Sequence, residues 1–220
     1  MLVSAIMPTA NRRKLVPLAL KSFLAQHWPH KELIVIDDGA DRVADLCEGL
    51  PGVHYVHTEQ PPQKIGTKLN HACEIAGGDV ILRFDDDDWS APERIAEQVN
   101  RLTQTRMDVC GYNCMLFWNQ IQKEASKYTN KFPFYALGTS LCFTRDYWRR
   151  NPFPAASYCE DNEFIQAASK MHRMTSVDAG QLMVARIHGS NTTGKLGPLQ
   201  WPVVDTSEIP QTFFNDLGAV

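Results

Sequence analysis

Over the first hundred residues the hydrophobic pattern switches repeatedly between two periods. Residues 2–7 are a short apolar run and predict a strand, while residues 15–26 place apolar side chains at 15, 16, 18, 19, 20, 23 and 24, the spacing of a helix with one buried face. The alternation continues with a strand over 32–37, a short helix over 41–50 stopped by Pro51-Gly52, and a strand over 53–57. A helix over 67–76 ends at Gly77-Gly78, and a strand over 80–84 precedes a helix over 92–102. Strands that are apolar at nearly every position are buried on both faces, and strands separated by helices run parallel. The expected fold class is therefore α/β, with a Rossmann-like, mostly parallel central sheet flanked by helices.

The second half is less regular, with strands predicted over 109–117, 140–144 and 182–187 and a helix over 161–171. After Gly189, Gly, Thr, Pro and Ser dominate and predict a loop-rich tail over 194–220. No repeat or long linker interrupts the chain, so residues 1–220 read as one domain. Its regular half runs to about residue 105 and its irregular half covers about 106–193.

In such a sheet ligands bind beyond the carboxyl ends of the strands. The residues there are Pro8-Thr9-Ala10-Asn11, Asp37-Asp38-Gly39 and the run Asp85-Asp86-Asp87-Asp88. Four adjacent carboxylates repel one another unless a cation sits among them. An acidic turn in water is the plain alternative. Against it stand the position at the end of an apolar strand and the apolar Trp89 that follows. All-oxygen donors suit hard cations, so the run implies Mg²⁺ or Mn²⁺. Asp37-Asp38-Gly39 fits either a turn or a carboxylate that receives ribose or base hydrogen bonds. Neither G-x-G-x-x-G after the first strand nor G-x-x-x-x-G-K-[ST] occurs, which removes the fingerprints of dinucleotide-binding and P-loop proteins.

Composition narrows the picture little. The 220 residues are 44% hydrophobic and 21% charged with a net charge of −3, so no global field favours nucleic acid or an anionic membrane. The N-terminus lacks the basic and apolar regions of a signal peptide, and no apolar stretch approaches a membrane span, so a soluble cytoplasmic protein is the expectation. The six cysteines form no C-x-x-C pair and mostly lie in apolar segments, as buried reduced thiols do.

Three segments together resemble the family 2 glycosyltransferases of the GT-A fold: Val3–Thr9, Leu33–Gly39 and Leu82–Trp89. Glu160-Asp161 is similar to that family's "ED" pair near the acceptor, and Arg186-Ile187-His188-Gly189-Ser190-Asn191 to its late R-x-H-x-x-N segment. The resemblance implies a nucleotide-sugar-binding first half and an acceptor-side second half. Pro8, Thr9 and Asn11 would belong to the nucleotide pocket, Asp38 would contact the base, usually uracil, and Asp37 would lie near the ribose. Asp85 and Asp87 match D-x-D, with Asp87 on the metal, Asp85 against ribose or metal, and Asp86 in the variable middle position on the nucleotide side. His188 would be a further metal or diphosphate contact. Asp161 would be the catalytic base, with Glu160, Gly138 and Trp89 on the acceptor side. One departure is Leu69, where many members carry Arg before the following Asn; Lys64 and Lys68 are the nearby bases open to a nucleotide contact.

Glycosyl transfer needs these residue types. The anomeric C–O bond breaks through an oxocarbenium-like transition state, the departing diphosphate needs its charge neutralised, and the acceptor hydroxyl needs a base. Asp161 also suits a helix N-cap, a role compatible with that of a base. Gly189, Asn191, Gly194 and Gly197 suggest a loop able to close over the donor. Aromatic residues crowd the second half, and one or two would suit a platform for an acceptor ring. Two other functions stay open, a nucleotidyltransferase and a non-catalytic nucleotide- or sugar-binding module. The acceptor, whether glycan, lipid-linked sugar, protein or modified DNA base, is not specified.

Overall fold

A computed structural model describes residues 1–58, 63–191 and 201–218. The regular half contains β1 (Val3–Thr9), α1 (Val16–Leu24), β2 (Lys31–Asp37), α2 (Ala44–Cys47), β3 (Val53–His57), α3 (Ile65–Ile75) and β4 (Val80–Arg83), then a two-residue β5 (Trp89–Ser90) and α4 (Arg94–Thr105). The second half adds β6 (Val109–Asn119), β7 (Glu124–Thr129), β8 (Cys142–Thr144), α5 (Arg145–Arg150) and α6 (Glu160–Lys170). It closes with β9 (Met174–Asp178), β10 (Met183–Ile187), β11 (Val203–Val204) and α7 (Gln211–Gly218). Among the described residues the strands make one sheet whose main path runs β3-β2-β1-β4-β8-β6-β7-β11.

The parallel pairing expected of the first half is present: β1 lies between β2 and β4, and β2 pairs β3, all parallel. Every residue of β1 is buried, so successive side chains feed two cores. Val3, Ala5 and Met7 join Leu33, Val35 and Leu82 beneath α1 and α4. Ile6, Ile34, Ile36 and Ile81 face α3 and α6 on the other side. The chain winds from β1 to β3 in one direction and returns to place β4 on β1's free side. The strand order therefore reverses between β1 and β4, the crevice where such sheets bind ligands.

Beyond β4 the sheet is mixed. β8 runs antiparallel to both β4 and β6, β7 antiparallel to β6, and β9 and β10 parallel to β6. The tail is not all loop. β11 pairs β7, and α7 seats Phe213 against Trp89 with ring centroids 6.1 Å apart. Its apolar positions 213, 214 and 217 have helical spacing, but the Gly and Pro residues around them hide it. Residues 192–200, including Gly194 and Gly197 of the expected closing loop, lie outside the described residues. Cys47, Cys73, Cys110 and Cys142 are buried free thiols, but Cys159 is exposed. Among the described residues no helix is long and apolar enough to cross a membrane.

Candidate active site

The four aspartates after β4 have different partners. Asp85 is held by Arg83 (Nε to Oδ1, 2.7 Å). Asp86 turns inward and receives hydrogen bonds from Thr9 Oγ1 (2.7 Å) and Arg12 Nη1 (2.8 Å). Asp87 Oδ2 lies 3.0 Å from His188 Nε2, 3.2 Å from Arg12 Nη1 and 3.3 Å from Asn191 Nδ2. Asp88 accepts from the Arg186 backbone N–H (3.1 Å) and the Thr139 hydroxyl. Asp88 thus ties β10 and the Gly138–Ser140 turn to the acidic run, and it caps no helix; Glu93 stands at the N-cap of α4.

These residues fit a hard divalent cation. One oxygen from each of Asp85, Asp87 and Asp88 lies within 4.8 Å of the others. Asp85 and Asp87 line the cavity and Asp88 does not, so Asp85 and Asp87 are the better placed donors, with the His188 imidazole beside Asp87. The charge crowding is visible in Asp86, whose pKa is pushed up to about 6 by burial first and the Asp87 carboxylate second, against the pull of Arg12 and Thr9. Burial works against the Arg12 guanidinium, yet Asp86 and Asp87 outweigh it and hold its pKa above the ordinary value.

At the ends of β1 and β2 the polar residues serve the protein itself. Asp37 accepts from the Gly39 and Val43 N–H groups (2.8 and 3.1 Å) and the Tyr55 hydroxyl (2.8 Å), fixing the turn after β2. Asp38 pairs with Lys68 Nζ at 2.7 Å and accepts the Gln63 N–H at 2.6 Å. Lys68 also reaches the Thr9 carbonyl (2.9 Å), so this lysine braces β1 to β2 while Lys64 is exposed at the start of α3. Asn11, at φ 54°, accepts the Asp41 N–H at 2.9 Å. A Cβ on Gly39 would meet the Asn11 backbone nitrogen at 2.4 Å, which is why the Asp-Gly turn needs its glycine.

The start of α6 lines the same cavity as the acidic run. Cys159, at φ 60°, is its N-cap without a side-chain cap bond, so Asp161 lies inside the first turn and is not the cap. Glu160 is buried and paired with Arg83 Nη1 at 2.9 Å. Arg83 therefore spans Asp85 and Glu160, joining the acidic run to the helix that carries Asp161. Gly138 leaves room for the Asp161 carboxylate: a Cβ there would fall 1.7 Å from Asp161 Oδ2. Gly138→Ala is expected to displace that carboxylate and the first turn of α6 that carries it, because the added Cβ would also fall 2.7 Å from the Asp161 Cβ. Overpacking of this kind costs about 1–3 kcal/mol, so the melting temperature should fall by several degrees and any activity that uses Asp161 should fall with it. Steady-state kinetics beside a melting curve checks this.

One cavity of about 410 Å³ brings together Pro8, Asp85, Asp86, Asp87, Gly138, Glu160 and Asp161. Thr9 and His188 lie buried directly behind Asp86 and Asp87. Asn11, Asp37, Asp38, Lys64, Lys68 and Trp89 are not among the lining residues. Trp89 is a correction: it is buried, its Nε1 donates to Asp216 at 2.8 Å, and it packs beneath α7 without lining the cavity. The lining also includes Arg12, Arg83, Tyr128, Tyr135 and Trp201, none of which the sequence singled out as site residues. Arg83 could have been found, because a charge inside an apolar strand has to be paired.

The profile of Glycosyl transferase family 2 matches residues 4–155, more than half of the chain and the whole segment from β1 through α5. The chain belongs to glycosyl transferase family 2. Relatives agree at lower coverage. A protein of Escherichia coli K12, provisionally named a colanic acid biosynthesis glycosyl transferase, WcaA, is 32% identical over 43% of this chain and 36% of its own length. EpsE of Bacillus subtilis 168, provisionally named a glycosyltransferase, is 30% identical over 52% of this chain and 44% of its own. The matches thus span less than half of these curated relatives. Among solved structures, S. aureus TarS 1–349 with UDP-GlcNAc superposes with a TM-score of 0.73 at 20% identity, over 87% of this chain and 60% of that one. The mannosyltransferase PcManGT of Pyrobaculum calidifontis, with GDP-Man and Mn²⁺, gives 0.64 at 18% identity over 84% and 56%. These likenesses establish the GT-A fold for the family 2 chain.

Proposed function

We propose that this family 2 protein transfers a sugar from a nucleoside-diphosphate donor to an acceptor hydroxyl, with inversion at the anomeric carbon. The observation that carries the reading is the single cavity lined by Asp85, Asp87 and Asp161 together. In this reading Asp85 and Asp87, with His188 behind, hold Mn²⁺ or Mg²⁺. When bound, the cation supplies charge neutralisation for the departing diphosphate. Arg12 lines the same cavity to meet the phosphates. Asp161 accepts the proton of the acceptor hydroxyl as its oxygen bonds to the anomeric carbon and the bond to the diphosphate breaks. Attack by the deprotonating hydroxyl as the diphosphate departs is one in-line displacement, and it inverts the anomeric carbon without a covalent intermediate. The Asp37–Asp38–Lys68 brace lies at the strand ends where a nucleoside would rest.

UDP is the first donor to test, since TarS was solved with UDP-GlcNAc; GDP-linked sugars come second, after PcManGT. A panel of nucleotide sugars is expected to include at least one that raises the melting temperature by several degrees at about 100-fold over its Kd. Chelation and Asp87→Ala should each remove the shift. A panel in which no nucleotide sugar moves the transition overturns the reading. Pyrophosphate release from a nucleoside triphosphate would favour a nucleotidyltransferase in its place.

A further inference from the structure

The wall beside Asp161 has a chemistry of its own. Phe117 is buried and supports the half-buried Trp201, with centroids 4.3 Å apart and planes at 53°. Tyr128 meets Trp201 edge-on at 5.4 Å and lies 6.4 Å from Tyr135. Tyr158, just before the N-cap of α6, is 62% exposed. All five line the same cavity as Asp161. Burial first, then the neighbouring Tyr128 hydroxyl and the Asp161 carboxylate, push the Tyr135 phenol upward, so it stays a neutral donor close to the base.

We propose that this aromatic wall is the acceptor subsite and that it takes the ring of a neutral sugar, stacked on Trp201 with one hydroxyl turned to Asp161. The assignment rests on reading the cavity as a glycosyl-transfer site. A pyranose presents an apolar C–H face and a hydroxyl rim, and the wall presents ring faces edged by three phenol hydroxyls. Charge selects against other acceptors. The described lining carries five carboxylates (Asp85, Asp86, Asp87, Glu160, Asp161) against two guanidiniums, Arg12 and Arg83. Each guanidinium is already paired to two of those acids. Of these, Asp85 and Asp87 belong to the cation and the donor, and beside Glu160 and Asp161 a nucleic-acid strand or a lipid diphosphate would bring further negative charge. A volume of about 410 Å³ is within the range of small-molecule sites.

The test is saturation-transfer NMR on the full chain with UDP and the diamagnetic Mg²⁺ present. The probes are methyl glycosides and disaccharides of glucose, galactose, mannose and N-acetylglucosamine, with a serine-containing peptide as competitor class. At least one saccharide should show strongest transfer to the C–H protons of one ring face. Trp201→Ala should weaken that saccharide by on the order of tenfold, within the range that stacking on one aromatic ring contributes. Trp201→Phe should keep most of the affinity, and Asp161→Asn should keep the binding signal. UDP binding is scored in the same samples. UDP bound with no saccharide signal, with a signal indifferent to Trp201→Ala, or with transfer to the peptide alone overturns the acceptor assignment and leaves the donor reading standing. No UDP bound by wild type overturns the transfer reading and this assignment with it.

Discussion

Asp161→Asn is expected to lower sugar transfer by about 10²- to 10⁴-fold, the range by which a positioned general base accelerates proton transfer. Asparagine has nearly the shape of aspartate, so the space left by Gly138 still accepts it and α6 keeps its N-cap at Cys159. The lost function is specific: an amide takes no proton from an attacking hydroxyl. Donor affinity and melting temperature should therefore stay close to wild type, because the donor-side groups Asp85, Asp87 and Arg12 are untouched. Rates with saturating donor and acceptor, set beside a UDP titration, separate the two effects. A variant that transfers sugar at the wild-type rate would remove Asp161 from the chemistry and favour a binding module.

The sequence revealed the parallel half of the fold because its strands are apolar at nearly every position and are separated by helices of clear period. That logic also marked the rim at β1, β2 and β4, and so the acidic run. It missed β7, whose residues Glu124–Thr129 mix charged and hydroxyl side chains with one aliphatic, Ala125, and α7, whose apolar face is only three residues wide. Trp89 shows the limit of local reading. An apolar residue after four aspartates does point to burial, but nothing nearby in sequence says that its partner is Phe213. Likewise Gly138 and Asp161 carry no common motif, yet the first exists as glycine because of the second. Pairings across the sheet are set by topology, and only the structure displays them.

The largest stability effect is expected at Arg83. The residue ends β4, is 7% exposed, and bridges Asp85 and the 5% exposed Glu160. Burial alone would lower its pKa, but Asp85, Glu160 and Asp161 outweigh that and push it well above the ordinary arginine value. Arg83→Met removes the cation and leaves the buried Glu160 without its partner, a change that costs about 3–5 kcal/mol. In a domain of this size each kcal/mol moves the melting temperature by roughly 2–4 °C, so a fall on the order of 10 °C should be seen by calorimetry. Adding Glu160→Met to that variant should return part of the loss, since the stranded charge goes with it. Activity should not return with it. Arg83 also sets the distance between the acidic run and the first turn of α6, and a pair of methionines restores packing without restoring that link. A double variant that regained both stability and transfer would show that the bridge only holds the fold.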